Sequence, residues 1–155
     1  MLEGVVSDDT GGHLTHYPAG TYLRNPEGFR HAPFSKQGCT IFVKSHQFQD
    51  ADRRRVCIDT SIEPWRSGHG NLEVMSLHSH GSESVALVHW PAGEVFREHS
   101  HFGVEESYVI GGEFIDEYGR YPAGTWIRCR HLSKHHPLVE VDTLVWVKAG
   151  HLPAQ

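Results

Sequence analysis

A chain of 155 residues has room for one ordinary domain or two small units sharing a core. Its 38% hydrophobic content, with seven Phe, five Tyr and four Trp, argues against disorder. A formal charge of −5 at pH 7 argues against a dedicated nucleic-acid binder, and no apolar run approaches the roughly 18 residues of a membrane span.

Taken in chain order, the predicted elements are all strands. The runs "CTIFVK" (39–44), "RVCID" (55–59), "ESVALVHW" (83–90), "ESYVIGGEF" (106–114) and "TLVWVK" (143–148) alternate with Gly, Pro and Asp turns, and long amphipathic helical patterns are absent. Many short strands at close spacing predict an all-β sandwich or barrel. The one basic run, Arg53-Arg54-Arg55, follows Asp50 and Asp52 and reads as a solvated strand entry. Cys39, Cys57 and Cys129 lie far apart with no CxxC pair. That odd count, without a signal peptide, predicts reduced thiols in a cytoplasmic protein.

The chain also repeats itself. "YPAGTYLRNPEGFRHAPFSKQGCTIFVK" (17–44) lies over "YPAGTWIRCRHLSKHHPLVEVDTLVWVK" (121–148) at a constant offset of 104, with ten identities. Upstream, "EGVVSDDTG" (3–11) resembles "GGEFIDEYG" (111–119) after a four-residue change of offset. Two related β units follow, divided as 1–50 and 51–155. The first enters the repeat in mid-unit, which predicts unpaired strand edges covered by the second unit or by another copy of the chain.

Fourteen histidines, as many as Lys and Arg together, point to metal or proton chemistry. On a strand, residues i and i+2 share a face, so His99 and His101 can point together into an interior. Glu105 follows after a Phe-Gly-Val link, and the repeat matches His31 with His135. Three imidazoles and one carboxylate make a mixed N/O site suited to Zn(II), Fe(II), Mn(II), Ni(II) or Co(II). Glu106 competes with Glu105, and His131 and His136 with His135. "HSHGSE" (78–83) mimics the pattern but reads as a hairpin tip. His89 alternates with Val85 and Leu87 and reads as a core histidine. Tyr108, Trp126 and Trp146 read as core, His151 as solvated, and Cys129 as a packed free thiol.

"GEVFREHSHFGVEESYVIG" resembles the first cupin motif, G-x5-H-x-H-x3-E-x6-G, at Gly93, His99, His101, Glu105 and Gly112. "YPAGTW…H" resembles the second, ending at His135, without the Asn that usually follows. "GGEFIDEYGRYPAGTWIR" and "WVKAGHL" are similar to the cupin domain of ChrR-type anti-sigma factors and to acetylacetone-cleaving dioxygenase-like cupins. The resemblance implies a cupin (RmlC-like jelly-roll) double-stranded β-barrel with a truncated second cupin repeat at the N-terminus. It also implies one divalent metal, Zn first and Fe, Mn or Ni as alternatives, on His99, His101, Glu105 and His135. Only His31 of the four ligands survives in the first unit, which is expected to hold no metal. The helical zinc domain that grips a sigma factor has no counterpart, so sigma-factor binding by this chain alone is not expected. The expected function is a metal-binding sensory, regulatory or structural module, homodimeric, with a small-molecule ligand at the metal. The alternative is a non-haem dioxygenase of a small dicarbonyl-like substrate. Catalytic residues are left unassigned.

Overall fold

Gly and Pro punctuate the chain so densely that no stretch sustains a helix. The computed structural model, which describes residues 1–152, is built of strands and loops alone. It divides into two units, Met1–Glu63 and Pro64–Gln155. No helix among the described residues is long and apolar enough to cross a membrane.

The first unit holds β1 (Glu3–Thr10), β2 (His13–Pro18), β3 (Thr21–Arg24), β4 (Pro33–Phe34), β5 (Cys39–Thr40) and β6 (Val56–Asp59). A hairpin joins β1 to β2 from Val5↔Pro18 to Thr10↔His13, and β4 and β5 flank the other edge of β1. One expectation is corrected here. "CTIFVK" is a strand only at Cys39–Thr40, because its ladder with β1 runs out at Glu3↔Thr40; Ile41 and Val43 are exposed. The edge of β3 is taken up by residues of the 51–155 stretch. Its partner is β6, paired from Thr21↔Asp59 to Arg24↔Val56. Just before β6, Asp52 takes the Arg24 guanidinium at 2.6 Å, both side chains buried, while Arg53, Arg54 and Arg55 are exposed as expected.

The second unit holds β7 (Arg66–Ser67), β8 (Glu73–His80), β9 (Glu83–Trp90), β10 (His99–Ser100) and β11 (Glu105–Gly111). It continues with β12 (Glu113–Asp116), β13 (Gly119–Pro122), β14 (Trp126–Cys129), β15 (Lys134–His135) and β16 (Thr143–Ala149). A six-stranded sheet runs β14-β11-β16-β9-β8-β7, accompanied by the pairs β12-β13 and β10-β15. Between them lies the core of Leu72, Trp90, Val109, Phe114, Val139 and Val145. The β8-β9 hairpin turns at Gly81, so "HSHGSE" is the tip it was read to be.

The "ESYVIGGEF" run is two strands rather than one. Gly112 sits at φ 78°, and a Cβ there would strike the Asp142 carbonyl and the Thr143 hydroxyl, so only glycine turns the chain from β11 into β12. Cross-strand pairing puts Trp126 opposite Tyr108 and Tyr108 opposite Trp146. This row lies on the face away from Val109 and Val145, and Trp126 is 48% exposed, so it is not a core residue. His89 is also outside the core: it is partly exposed, bonded to Glu73 Oε2 at 3.0 Å and edge-on to Trp65. His151 is the reverse case. Its side chain is buried beside Glu106, 3.6 Å away.

Candidate metal centre

β10 and β15 pair so that His99 stands directly opposite His135. His101, two residues on from His99, shares its face. The chain is held there by His101 N–H donating to the Ser133 carbonyl at 3.2 Å and Leu132 N–H to the His101 carbonyl at 2.7 Å. His101 and His135 are each only 5% exposed, and His99 is half-buried.

The three imidazoles converge through one kind of nitrogen. His135 Nε2 lies 2.9 Å from His101 Nε2 and 3.3 Å from His99 Nε2. Every Nδ1 faces an oxygen instead: the Arg97 carbonyl for His99 at 3.2 Å, Glu105 Oε2 for His101 at 3.1 Å, and Asp116 Oδ2 for His135 at 3.2 Å. Acceptors on all three Nδ1 atoms favour the Nδ1–H tautomer and turn the Nε2 lone pairs inward. Lone pairs aimed at each other across 2.9 Å repel unless a proton or a cation lies between them. For nitrogen ligands about 2.1 Å from an ion, N···N separations are about 3.0 Å at a right angle and about 3.4 Å in a tetrahedron. The donor set and its spacing therefore fit a borderline divalent metal such as Zn(II) or Fe(II). These three are the group of such side chains that could hold an ion among the described residues.

Of the four residues read from the sequence, the structure brings His99, His101 and His135 together. Glu105 sits behind His101, on its Nδ1 side, with Ser107 Oγ donating to Oε1 at 3.3 Å. Glu106 points to the other face and is buried. His136 offers its backbone N–H to Glu117, and His131 Nδ1 accepts from Gly103 N–H. In the first unit, His31 is 45% exposed and stands 3.9 Å from Asp8.

The surroundings tune the cluster. Burial alone would lower the His101 pKa, but hydrogen bonds with Cys129 and Glu105 outweigh it and push the imidazole up to about 10. Cys129 faces Glu105 across the β11–β14 ladder, so it belongs to the site, a role hidden by its lack of a sequence partner. Burial lowers the His99 pKa, partly offset by the Arg97 carbonyl. An aromatic wall, also absent from the sequence reading, packs Phe96 edge-on to His99 at 5.0 Å and Phe114 beside His135 at 5.9 Å.

A barrel of short strands with a histidine cluster on one face defines the class, a cupin. The family model of the ChrR cupin-like domain matches residues 1–49 and 53–153, and the chain belongs to that family. It is 32% identical over 77 residues to the anti-sigma-E factor ChrR of Cereibacter sphaeroides, which is 49% of this chain and 36% of that protein. The structure of Rhodobacter sphaeroides SigE in complex with the anti-sigma ChrR aligns at 26% identity and a TM-score of 0.53, over 57% of this chain and 50% of the matched chain. An acetylacetone dioxygenase from Acinetobacter johnsonii aligns at 18% identity and a TM-score of 0.52, over 72% and 80%, a likeness of fold. The chain thus spans between a third and a half of the ChrR lengths it matches.

Proposed function

We propose that the chain binds one divalent metal ion, Zn(II) first, through Nε2 of His99, His101 and His135, as the metal module of a sensory or regulatory cupin. The observation that carries this reading is the convergence of three Nε2 atoms whose Nδ1 partners are all oxygen acceptors. Glu105 is poised either to hold the His101 tautomer, as it does in this geometry, or to swing onto the ion as a fourth donor. The family relationship supports the metal reading, and the similarity to ChrR supports a regulatory setting; the sigma-factor partner named for that protein is not assigned to this partial match.

Elemental analysis of protein purified without a His-tag tests the proposal. About one divalent ion per chain is expected, lost in the His99→Ala/His101→Ala variant. Absence of metal from the unmodified protein refutes the site. A second reading, oxygen-dependent cleavage of a small dicarbonyl, is favoured by one feature: three protein donors leave coordination positions open on the half-exposed His99 side. The ion would there supply Lewis acidity and a template for oxygen and substrate. Iron at that stoichiometry, with oxygen uptake on a 1,3-diketone, would select it over the zinc module.

A further inference from the structure

The two hairpins carry the same carboxylate. β12 and β13 pair as Glu113↔Pro122, Phe114↔Tyr121, Ile115↔Arg120 and Asp116↔Gly119. β1 and β2 pair as Val5↔Pro18, Val6↔Tyr17, Ser7↔His16 and Asp8↔Thr15. Rung for rung, Asp8 is the counterpart of Asp116, just as His31 is of His135. The chain therefore contains its own control experiment.

In the first unit, Asp8 Oδ1 accepts from Thr10 Oγ1 at 2.7 Å and from Ala32 N–H at 2.9 Å. The His31 ring stays 3.9 Å from Oδ2, outside hydrogen-bond range. In the second, Oδ1 of Asp116 gathers Tyr118 N–H at 2.8 Å, Gly119 N–H at 3.1 Å and Tyr121 Oη–H at 3.1 Å. Those three donors fix the carboxyl plane and leave Oδ2 for His135 Nδ1 at 3.2 Å. Both partners are nearly fully buried, at 6% and 4% exposure. The carboxylate is common to both hairpins, but only beside the histidine cluster is it delivered to an imidazole.

We propose that Asp116 is the positioning residue of the metal centre: it locks His135 as the Nδ1–H tautomer and aims Nε2 at the ion, whereas Asp8 serves only its hairpin. The inference rests on the metal reading above. A histidine so oriented loses less freedom on binding, and its carboxylate partner makes it a better donor; such outer partners are typically worth 10–100-fold in metal affinity.

The test compares Asp116→Asn with Asp8→Asn in zinc titrations against a competing chelator. The expected result is at least a tenfold weaker affinity for Asp116→Asn and a change within twofold for Asp8→Asn. Equal affinities for all three proteins, or equal losses in both variants, overturn the proposal. If the unmodified chain binds no zinc, it is the metal reading that fails. Long-range 1H–15N spectra of the zinc-loaded, unmodified protein give a readout that does not depend on any variant folding. His135 should show a protonated Nδ1 and a metal-bound Nε2; a metal-bound Nδ1 overturns the assignment.

Discussion

His101 shows how one residue's surroundings set the pH behaviour of the site. Its pKa, up to about 10, means that the metal-free fold keeps a proton on the cluster where His101 and His135 approach to 2.9 Å. That proton stabilises the metal-free chain fully below the unfolded value near 6.5, and the contribution fades as pH rises toward 10. Metal competes for the same lone pairs, so its dependence has the opposite sign. Apparent zinc affinity should rise about tenfold per pH unit between roughly pH 6.5 and 9, with about one proton released per ion, measurable by calorimetry in buffers of different ionisation enthalpy. An affinity independent of pH across that window would contradict this account. Strain is also visible at this scale. Leu132 holds φ 58° in the loop that clamps His101, with its side chain 61% exposed. Asn tolerates that conformation better, so Leu132→Asn should raise stability by about 1 kcal/mol in denaturant unfolding.

Individual strands explain what could be read ahead of the structure. His99 and His101 were legible because i and i+2 share a face, and His135 because a constant repeat offset aligned it with His31. Glu105 was legible as a member of the site, but the nitrogen it faces depends on side-chain packing that no spacing encodes. The upstream repeat matches Asp116 with Asp8, but nothing in an Asp-Glu pair near a hairpin tip signals that the first side chain turns inward to His135. "TLVWVK" and "CTIFVK" share a repeat position, yet one lies between β9 and β11 while the other loses its only ladder after Thr40. Pairing partners rather than propensity decide strand formation. Gly112 should be irreplaceable for a related reason: Gly112→Ala adds a side chain against Asp142 and Thr143 at φ 78°, with an expected loss above about 2 kcal/mol. Phe114, from the same turn, is buried against Trp90 and His135. Phe114→Ala should cost about 3–5 kcal/mol by the same measurement.

For the molecule as a whole, an ion held as proposed would be a folding ligand as well as a functional one. An ion that binds only the native state at a free concentration of 100 Kd adds about 2.7 kcal/mol. The thermal transition of unit Pro64–Gln155 should therefore fall by about 10–20 °C on chelation and recover when zinc is restored. A transition unmoved by chelator would separate the cluster from the fold's stability. The hairpin in the other unit carries a different consequence. Its two extra rungs, Asp9↔Leu14 and Thr10↔His13, account for the four-residue change of repeat offset, and they lengthen each arm by two. Because these rungs are added symmetrically at the tip, the pairing beneath them is unchanged and Asp8 keeps its face toward Ala32. The tip around Gly11 and Gly12, both at positive φ with open space beside them, is thus a graft point: a fluorophore or epitope inserted symmetrically there leaves the register beneath it untouched.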